Sequence, residues 1–315
     1  MIPANQTDAA KKIVAQLMGV NGVAAQAVDS GVMTHKVLVQ HPMFGEFIVR
    51  FYPTERSHVV NYEPDLFTRL HTVGIVCPEV IADSRSGPSS NLSYVVYRPI
   101  PGVTLDSRMS LMDDAALAQI ASDIADILKR ISRLEVQGFG DLINAELGAS
   151  NTCRQFINSA FGIDFSSLQA SGILPSEWCE RLIELRANLR TIDLPLSPSL
   201  AWGDLSPQNV IVDRNNRVAG IIDLESMIAC DALTTAGFFF ARHGKTRLYA
   251  ALRSHIFWND NAPRFHLYSV LRAVRILRYA SLPLPTGIAR IPIEKLLPGA
   301  GESLFWLSKA RMQKD

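Results

Sequence analysis

The sequence predicts an α+β protein of two lobes, β-rich over residues 1–99 and mainly helical over residues 100–315. Three observations lead to this fold class. Short β-forming runs, each bounded by Gly, Pro, His or Asn, crowd the N-terminal part. The turn Pro99-Ile100-Pro101-Gly102 then punctuates the chain. Beyond it, apolar residues recur at helical spacing. With 315 residues, 48% of them hydrophobic and 19% charged, the chain can bury a substantial core, which excludes disorder as its main state.

Taken in order, residues 36–40 and 47–52 predict strands. A helix is expected over 65–71, because Leu66, Phe67 and Leu70 share a face and Gly74 supplies a stop. Residues 93–97 predict the next strand, giving the order strand, strand, helix, strand. Past the turn, Ser110 is expected to cap a long amphipathic helix whose inward stripe is Leu117, Ile120, Ile124, Ile127, Ile131 and Leu134. Further helices are expected over 176–189 and 265–279. Between them lies the only strand pair expected in this half, 210–213 and 218–222, joined by the turn Arg214-Asn215-Asn216-Arg217.

Composition narrows the function classes. Lys plus Arg number 31 and Asp plus Glu 30, a net charge of +1 that gives no reason to expect nucleic acid. Cys77, Cys153, Cys179 and Cys230 lie far apart, without CxxC or a histidine at zinc spacing, so free thiols are expected. The N-terminus lacks the basic and apolar regions of a signal peptide, and no apolar run approaches the ~18 residues that span a bilayer. A cytoplasmic protein without membrane or nucleic-acid partners is expected, as monomer or homodimer.

The chemistry concentrates in Ala201-Trp202-Gly203-Asp204-Leu205-Ser206-Pro207-Gln208-Asn209, followed by the strand pair and Ile222-Asp223-Leu224-Glu225. If Asp213 pairs with Val218, Asn209 falls opposite Ile222 and beside Asp223. Two hard-oxygen side chains so placed suit Mg²⁺, which takes one or two protein oxygens and completes its shell with water and phosphate. Asp204, on the same loop, could then face a substrate hydroxyl. Such a set suits phosphoryl transfer, where positioning and charge neutralisation supply most of the rate. The simpler reading of any one of these residues is a polar turn; their combination is what carries the functional one.

The runs at 202–213 and 220–225 resemble the catalytic and metal-binding segments of the aminoglycoside phosphotransferase family, kinase-like enzymes that include antibiotic, choline and homoserine kinases. The resemblance implies a two-lobed protein-kinase-like fold, with a nucleotide-binding lobe over 1–99 and a catalytic and substrate lobe over 100–315. It implies that Asp204 accepts or orients the acceptor hydroxyl and that Asn209 and Asp223 bind Mg²⁺, with ATP as the phosphate donor and GTP left open. Trp202 stands where the family usually has His, a position read as mainly structural. Residues 47–52 resemble the third strand, whose cation grips the nucleotide phosphates, with Arg50 in place of the commoner Lys; Arg keeps its charge and binds phosphate bidentately. The alternative for Arg50 is an outward, solvated strand residue. Glu63 matches the helix glutamate that pairs with that cation. Pro64 places it at the helix entrance, and Glu55 and Asp65 are alternative partners. Residues 28–34 occupy the place of the nucleotide-covering loop, where backbone N–H groups around Ser30 and Gly31 would cover the phosphates. Residues 97–102 resemble the hinge that docks adenine, with the Arg98 carbonyl and the Ile100 N–H available and Pro99 unable to donate.

The last third has no matching motif but a lopsided charge: residues 232–315 hold 13 basic and 4 acidic residues, against 18 and 26 over 1–231. Arg272, Arg275 and Arg278 recur on one expected helix. Their simpler reading is a solvated face; the functional one is a site for a neutral or anionic acceptor, since a polycationic aminoglycoside would call for carboxylates. The expected function is Mg-ATP-dependent transfer of the γ-phosphate to a small-molecule hydroxyl. The alternative is a catalytically weak nucleotide-binding protein of the same fold.

Overall fold

A computed structural model describes residues 4–20, 22–28, 34–255, 259, 261–280 and 293–312. The chain divides into two compact units, one of residues 1–102, 143–145 and 219–225 and the other of 103–142, 146–218 and 226–315.

In the first unit, α1 (Ala4–Met18) precedes β1 (Ala24–Val28), β2 (His35–His41) and β3 (Gly45–Tyr52), and then come α2 (Glu63–Thr72), β4 (Glu79–Asp83) and β5 (Ser93–Arg98). The strands form one antiparallel sheet in the order β1-β2-β3-β5-β4. α1, β1 and β4 thus add to the expected order. β1 reads Ala-Ala-Gln-Ala-Val, with weak β formers before its last residue, and β4 is bulged between Val80 and Ala82; both depend on sheet neighbours more than on propensity. Period-two alternation sorts the two faces. Val37, Val39, Phe47, Val49, Phe51, Tyr94 and Val96 pack with Ala10, Ile13 and Val14 of α1. The register pairs Lys36 with Arg50, and Arg50 with Val95, on the other face.

The second unit opens with β6 (Val103–Thr104) and α3 (Leu105–Arg108), followed by α4 (Asp114–Ile131), β7 (Phe139–Asn144), β8 (Leu147–Ser150), α5 (Cys153–Ala160), α6 (Phe165–Ala170) and α7 (Ser176–Asn188). Along the chain β9 (Ser199–Trp202), β10 (Val210–Val212), β11 (Val218–Ile221) and β12 (Met227–Cys230) lead to α8 (Ala232–His243), α9 (Arg247–Leu252), α10 (Pro263–Ala280), α11 (Ile293–Leu296) and α12 (Pro298–Met312). Asp113, not Ser110, caps α4: its carboxylate accepts the Ala116 N–H at 2.8 Å, while 109–111 forms a separate short turn. The stripe from Leu117 to Ile131 is buried as its spacing predicts, and Leu134 lies past the helix end. α10 packs against α8 and α12, and Phe161, Phe165, Trp178, Leu182, Leu271 and Val274 belong to one continuous core.

Two further strand groupings correct the expectation of a single strand pair. β8, β7, β12 and β9 form a sheet in that order, and β10 pairs with β6. All four residues of β12 are buried, so it shows no alternation, and its partners are distant in sequence, as in Ile228 with Ala201 and Asp141. The turn after β10 also closes one residue earlier than expected. Asp213 N–H donates to the Arg217 carbonyl at 2.9 Å, leaving a three-residue loop with Asn216 at φ 57°, a left-handed conformation that Asn tolerates. The Asp213 carboxylate holds this loop by accepting the N–H groups of Asn215 and Arg217 at 2.8 and 2.9 Å.

All four cysteines are free and buried, and among the described residues no helix is long and apolar enough to cross a membrane. In the last turn of α8, His243 stacks on Phe239 with ring centroids 4.8 Å apart. Burial, then Arg242 and Arg272, push its pKa from 6.5 down to about 4 against the opposing pull of Asp106. The folded protein therefore holds His243 neutral where an unfolded chain would protonate it. This contribution to stability is full above pH 6.5 and is lost as pH falls toward 4. His243→Asn should show a shallower fall in Tm across that window than the unsubstituted protein; parallel slopes would remove His243 as its source.

Candidate active site

The loop after β9 is fixed by backbone and side-chain anchors. Trp202 is fully buried, and its backbone N–H donates to Thr235 Oγ1 at 2.9 Å, which fits a packing role for this position. Gly203 N–H donates to the Ser226 carbonyl at 3.2 Å. A methyl group at Gly203 would collide with that same carbonyl oxygen. Gly203→Ala should therefore displace the backbone next to Asp204, costing about 1–3 kcal/mol of stability. Thermal unfolding reads the loss, and an unchanged Tm would contradict this close approach.

Asp204 follows with its carboxylate 30% exposed. Arg272 Nη2 of α10 donates to its Oδ1 at 2.5 Å, and Asn209 Nδ2 donates to its Oδ2 at 3.2 Å and to its carbonyl at 2.9 Å. Asn209 is buried in a short helical turn over Pro207–Asn209, with its N–H on the Ser206 carbonyl at 3.0 Å. Because its amide nitrogen is committed to Asp204, the atom it has left to accept a hydrogen bond or to ligate a cation is Oδ1. Arg272 and Arg275 are not the solvated stripe that their spacing allows. Their side chains are 20% and 18% exposed, and Arg275 grips Asp141 through two nitrogens at 2.6 and 3.2 Å.

Within the first unit a second set of charged groups collects around Arg50, which is 2% exposed and so not the solvated strand residue of the alternative reading. Its Nη1 donates to Glu63 Oε1 at 3.1 Å, and its Nη2 lies 2.6 Å from Asp223 Oδ1 and 2.9 Å from Glu225 Oε1. Its Nε donates to Thr34 Oγ1 at 2.9 Å, and the guanidinium stacks over the Tyr52 ring. Glu63 is the first residue of α2, as Pro64 predicts, and is fully buried. Tyr52 O–H donates to its other oxygen. Burial pushes the Glu63 carboxyl up to about 7, with Arg50 opposing. The alternative partners do not take this place: Asp65 pairs with Arg85 and Glu55 lies exposed.

Asp223 sits at φ 61°, a left-handed backbone that Asp adopts more readily than most residues. Its pKa is lowered: burial pushes it up, but Arg50 and then Lys36 outweigh burial. Lys36, across the β2–β3 ladder from Arg50, places Nζ 3.8 Å from Asp223 Oδ2. Arg98 closes β5 with Nη1 donating to the Phe44 carbonyl at 2.9 Å, and half-buried Ile100 follows it. Ser30 and Gly31 lie outside the described residues.

Sequence reasoning missed Lys36, Glu225 and the Arg272–Asp204 pair. Lys36 was reachable from the β2–β3 register, once that register was known. The Arg272 contact joins residues 68 positions apart and left no local signal. Among the described residues there is no cluster of three or more His, Cys, Asp or Glu able to hold a metal ion. The amide oxygen of Asn209 and the carboxylate of Asp223 are each oxygen donors of the type Mg²⁺ takes.

No curated protein matches the sequence. Among solved structures, the apo form of a thermostable mutant of aminoglycoside phosphotransferase APH(4)-Ia is similar at a TM-score of 0.70 and 16% identity, covering 95% of this chain and 97% of its own. The GDP complex of aminoglycoside 2'-phosphotransferase-IIIa has a TM-score of 0.66 at 17% identity, covering 98% and 99%. The streptomycin–ATP complex of APH(2″)-IIa has a TM-score of 0.62 at 16% identity, covering 97% of each chain. These likenesses show the kinase-like α+β fold. The profile of the phosphotransferase enzyme family matches residues 24–236, two-thirds of the sequence, and the chain therefore belongs to that family.

Proposed function

We propose that this protein transfers the γ-phosphoryl group of Mg-ATP to a hydroxyl of a small molecule. The observation that carries this reading is the Asp204 carboxylate held in place by Asn209 on an anchored, glycine-led loop. In the proposed step the acceptor oxygen bonds to the γ-phosphorus, the bond from that phosphorus to the bridging β-phosphate oxygen breaks, and Asp204 takes the hydroxyl proton. The nucleoside diphosphate then leaves. Asn209 Oδ1 and Asp223 would hold Mg²⁺, which supplies charge neutralisation to the phosphates. Glu63, Glu225 and Thr34 fix the Arg50 guanidinium, and Lys36 adds a less enclosed cation on the same sheet face.

Relatives solved with ADP and hygromycin B, with GDP, or with streptomycin and ATP support a nucleotide donor and a polyhydroxylated acceptor. The basic C-terminal third argues against assuming an aminoglycoside. The test is incubation with Mg-ATP or Mg-GTP and a panel of sugars, hydroxy acids and aminoglycosides, following diphosphate release and the mass gain of the acceptor. A phosphorylated product supports the reading, and binding of Mg-ATP without any product favours the weakly catalytic alternative. One observation favours that alternative: four groups already engage the Arg50 guanidinium, leaving it few directions in which to meet phosphate.

A further inference from the structure

We propose that Arg272 anchors the acceptor and selects one that carries a carboxylate or phosphate beside its reacting hydroxyl. This rests on the reading of Asp204 as the group that receives the hydroxyl proton. Both carboxylate oxygens of Asp204 have partners, Oδ1 from Arg272 at 2.5 Å and Oδ2 from Asn209 at 3.2 Å. A hydroxyl that donates to Asp204 must share or take over one of these oxygens. Asn209 is tied down by its second bond, to the Asp204 carbonyl at 2.9 Å. Arg272 lies over the Phe238 ring, and its guanidinium, unlike the Asn209 amide, is a cation for which an anion on the acceptor can compete.

With the Arg272 side chain four-fifths covered, a guanidinium drawn off Oδ1 loses a charge-assisted hydrogen bond, the kind whose loss is felt most. An oxyanion on the acceptor restores that bond in the same movement, and the planar fork of Arg suits a carboxylate or phosphate. A polycationic acceptor would instead set an ammonium against the guanidinium. In sequence the C-terminal third is basic, residues 232–315 holding 13 basic and 4 acidic residues.

The test is calorimetric binding of D-gluconate, D-glycerate and glucose 6-phosphate, compared with D-glucose, glycerol and kanamycin, to the full-length protein with and without Mg-AMP-PNP. At least one anionic probe should bind more tightly than its uncharged parent and than kanamycin. Arg272→Gln should weaken that probe about 30-fold, the scale of a charged hydrogen bond, while nucleotide affinity stays within about twofold. Arg272→Lys, which keeps the charge and loses the fork, should fall between the two and serves if Arg272→Gln does not fold. Neutral or cationic probes binding as well as anionic ones, no probe binding, or anionic binding untouched by both variants would each overturn the proposal. Failure of the phosphotransferase reading shows separately, as no phosphorylated product from any acceptor of the panel with Mg-ATP or Mg-GTP, whether or not the anionic probes bind.

Discussion

Asp204→Asn is expected to lower phosphotransfer turnover about 10³-fold while KM for Mg-ATP stays within a few-fold. The substitution keeps the shape of the side chain and an oxygen able to accept from Arg272, and it removes the capacity to take a proton at neutral pH. The Asn209 bond to the residue-204 carbonyl, 2.9 Å in the structure, does not involve the substituted group and keeps the loop in place. One new conflict arises. An amide nitrogen at the Oδ2 position would face Asn209 Nδ2, now 3.2 Å from that oxygen, so two donors would meet unless one amide turns over. That conflict costs about 1 kcal/mol, small beside the catalytic loss. Steady-state kinetics on any acceptor found in the panel, with Mg-ATP affinity measured by calorimetry, separates the two effects. Equal turnover in Asp204→Asn and the unsubstituted protein would remove Asp204 as the proton acceptor. A loss confined to KM would mean that it binds the acceptor without taking its proton. Asn209→Ala should also fall, and the double substitution should fall further than Asp204→Asn alone, because Asn209 holds the carboxylate through Nδ2 and keeps Oδ1 for the proposed Mg²⁺.

What the sequence disclosed and what it hid divide along one physical line. The segment from Ala201 to Glu225 was legible because its spacing is covalent: Asp204, Asn209, the Asp213 turn and Asp223 occur at fixed intervals on one strand-turn-strand unit. Glu63 was legible for a related reason, since Pro64 dictates the entrance of α2. Hidden features depend on pairings made through space. β12 finds its neighbours in β7 and β9, far away in sequence, and its wholly buried residues give no alternation to read. The placement of α10 that brings Arg272, in the middle of the helix, to Asp204 is set by packing against α8 and α12, which no local pattern encodes. α1 is a different case: Ala10, Ile13, Val14 and Leu17 fall at the spacing of a helix face, and the signal was present in the sequence. The turn after β10 shows how a small error propagates. Closure at Arg217 instead of Val218 shifts every inferred cross-strand neighbour by one residue, so facing positions counted from a turn are only as good as the residue that closes it.

Arg50→Met is expected to be the most destabilising single substitution in the first unit, by about 3–5 kcal/mol. The methionine fills much of the space of the arginine stem, so the loss is electrostatic more than a matter of volume. Three carboxylates, Glu63, Asp223 and Glu225, would lose the guanidinium that lies within 3.1 Å of each, and Glu63 has no exposure through which water could compensate. In a protein of this size, that corresponds to a fall in Tm of about 5–8 °C. The pH dependence distinguishes this cause from a packing defect. The Glu63 carboxyl already titrates near 7 in the folded state against 4.5 when unfolded, because burial outweighs Arg50. Removing Arg50 raises it further, so the folded variant binds a proton that the unfolded chain releases, and its stability falls as pH rises from 4.5 through 7 and beyond. The penalty should therefore be smaller at pH 5 than at pH 8, whereas a void would cost the same at both. Glu63→Gln added to Arg50→Met should recover part of the loss at pH 8 and little at pH 5, since the neutral amide removes the carboxylate left without a cation. Thermal unfolding of the single and double variants at the two pH values reads all of this. A pH-independent penalty, or no recovery in the double variant, would mean that Arg50 acts by packing and that Glu63 is not the group it neutralises.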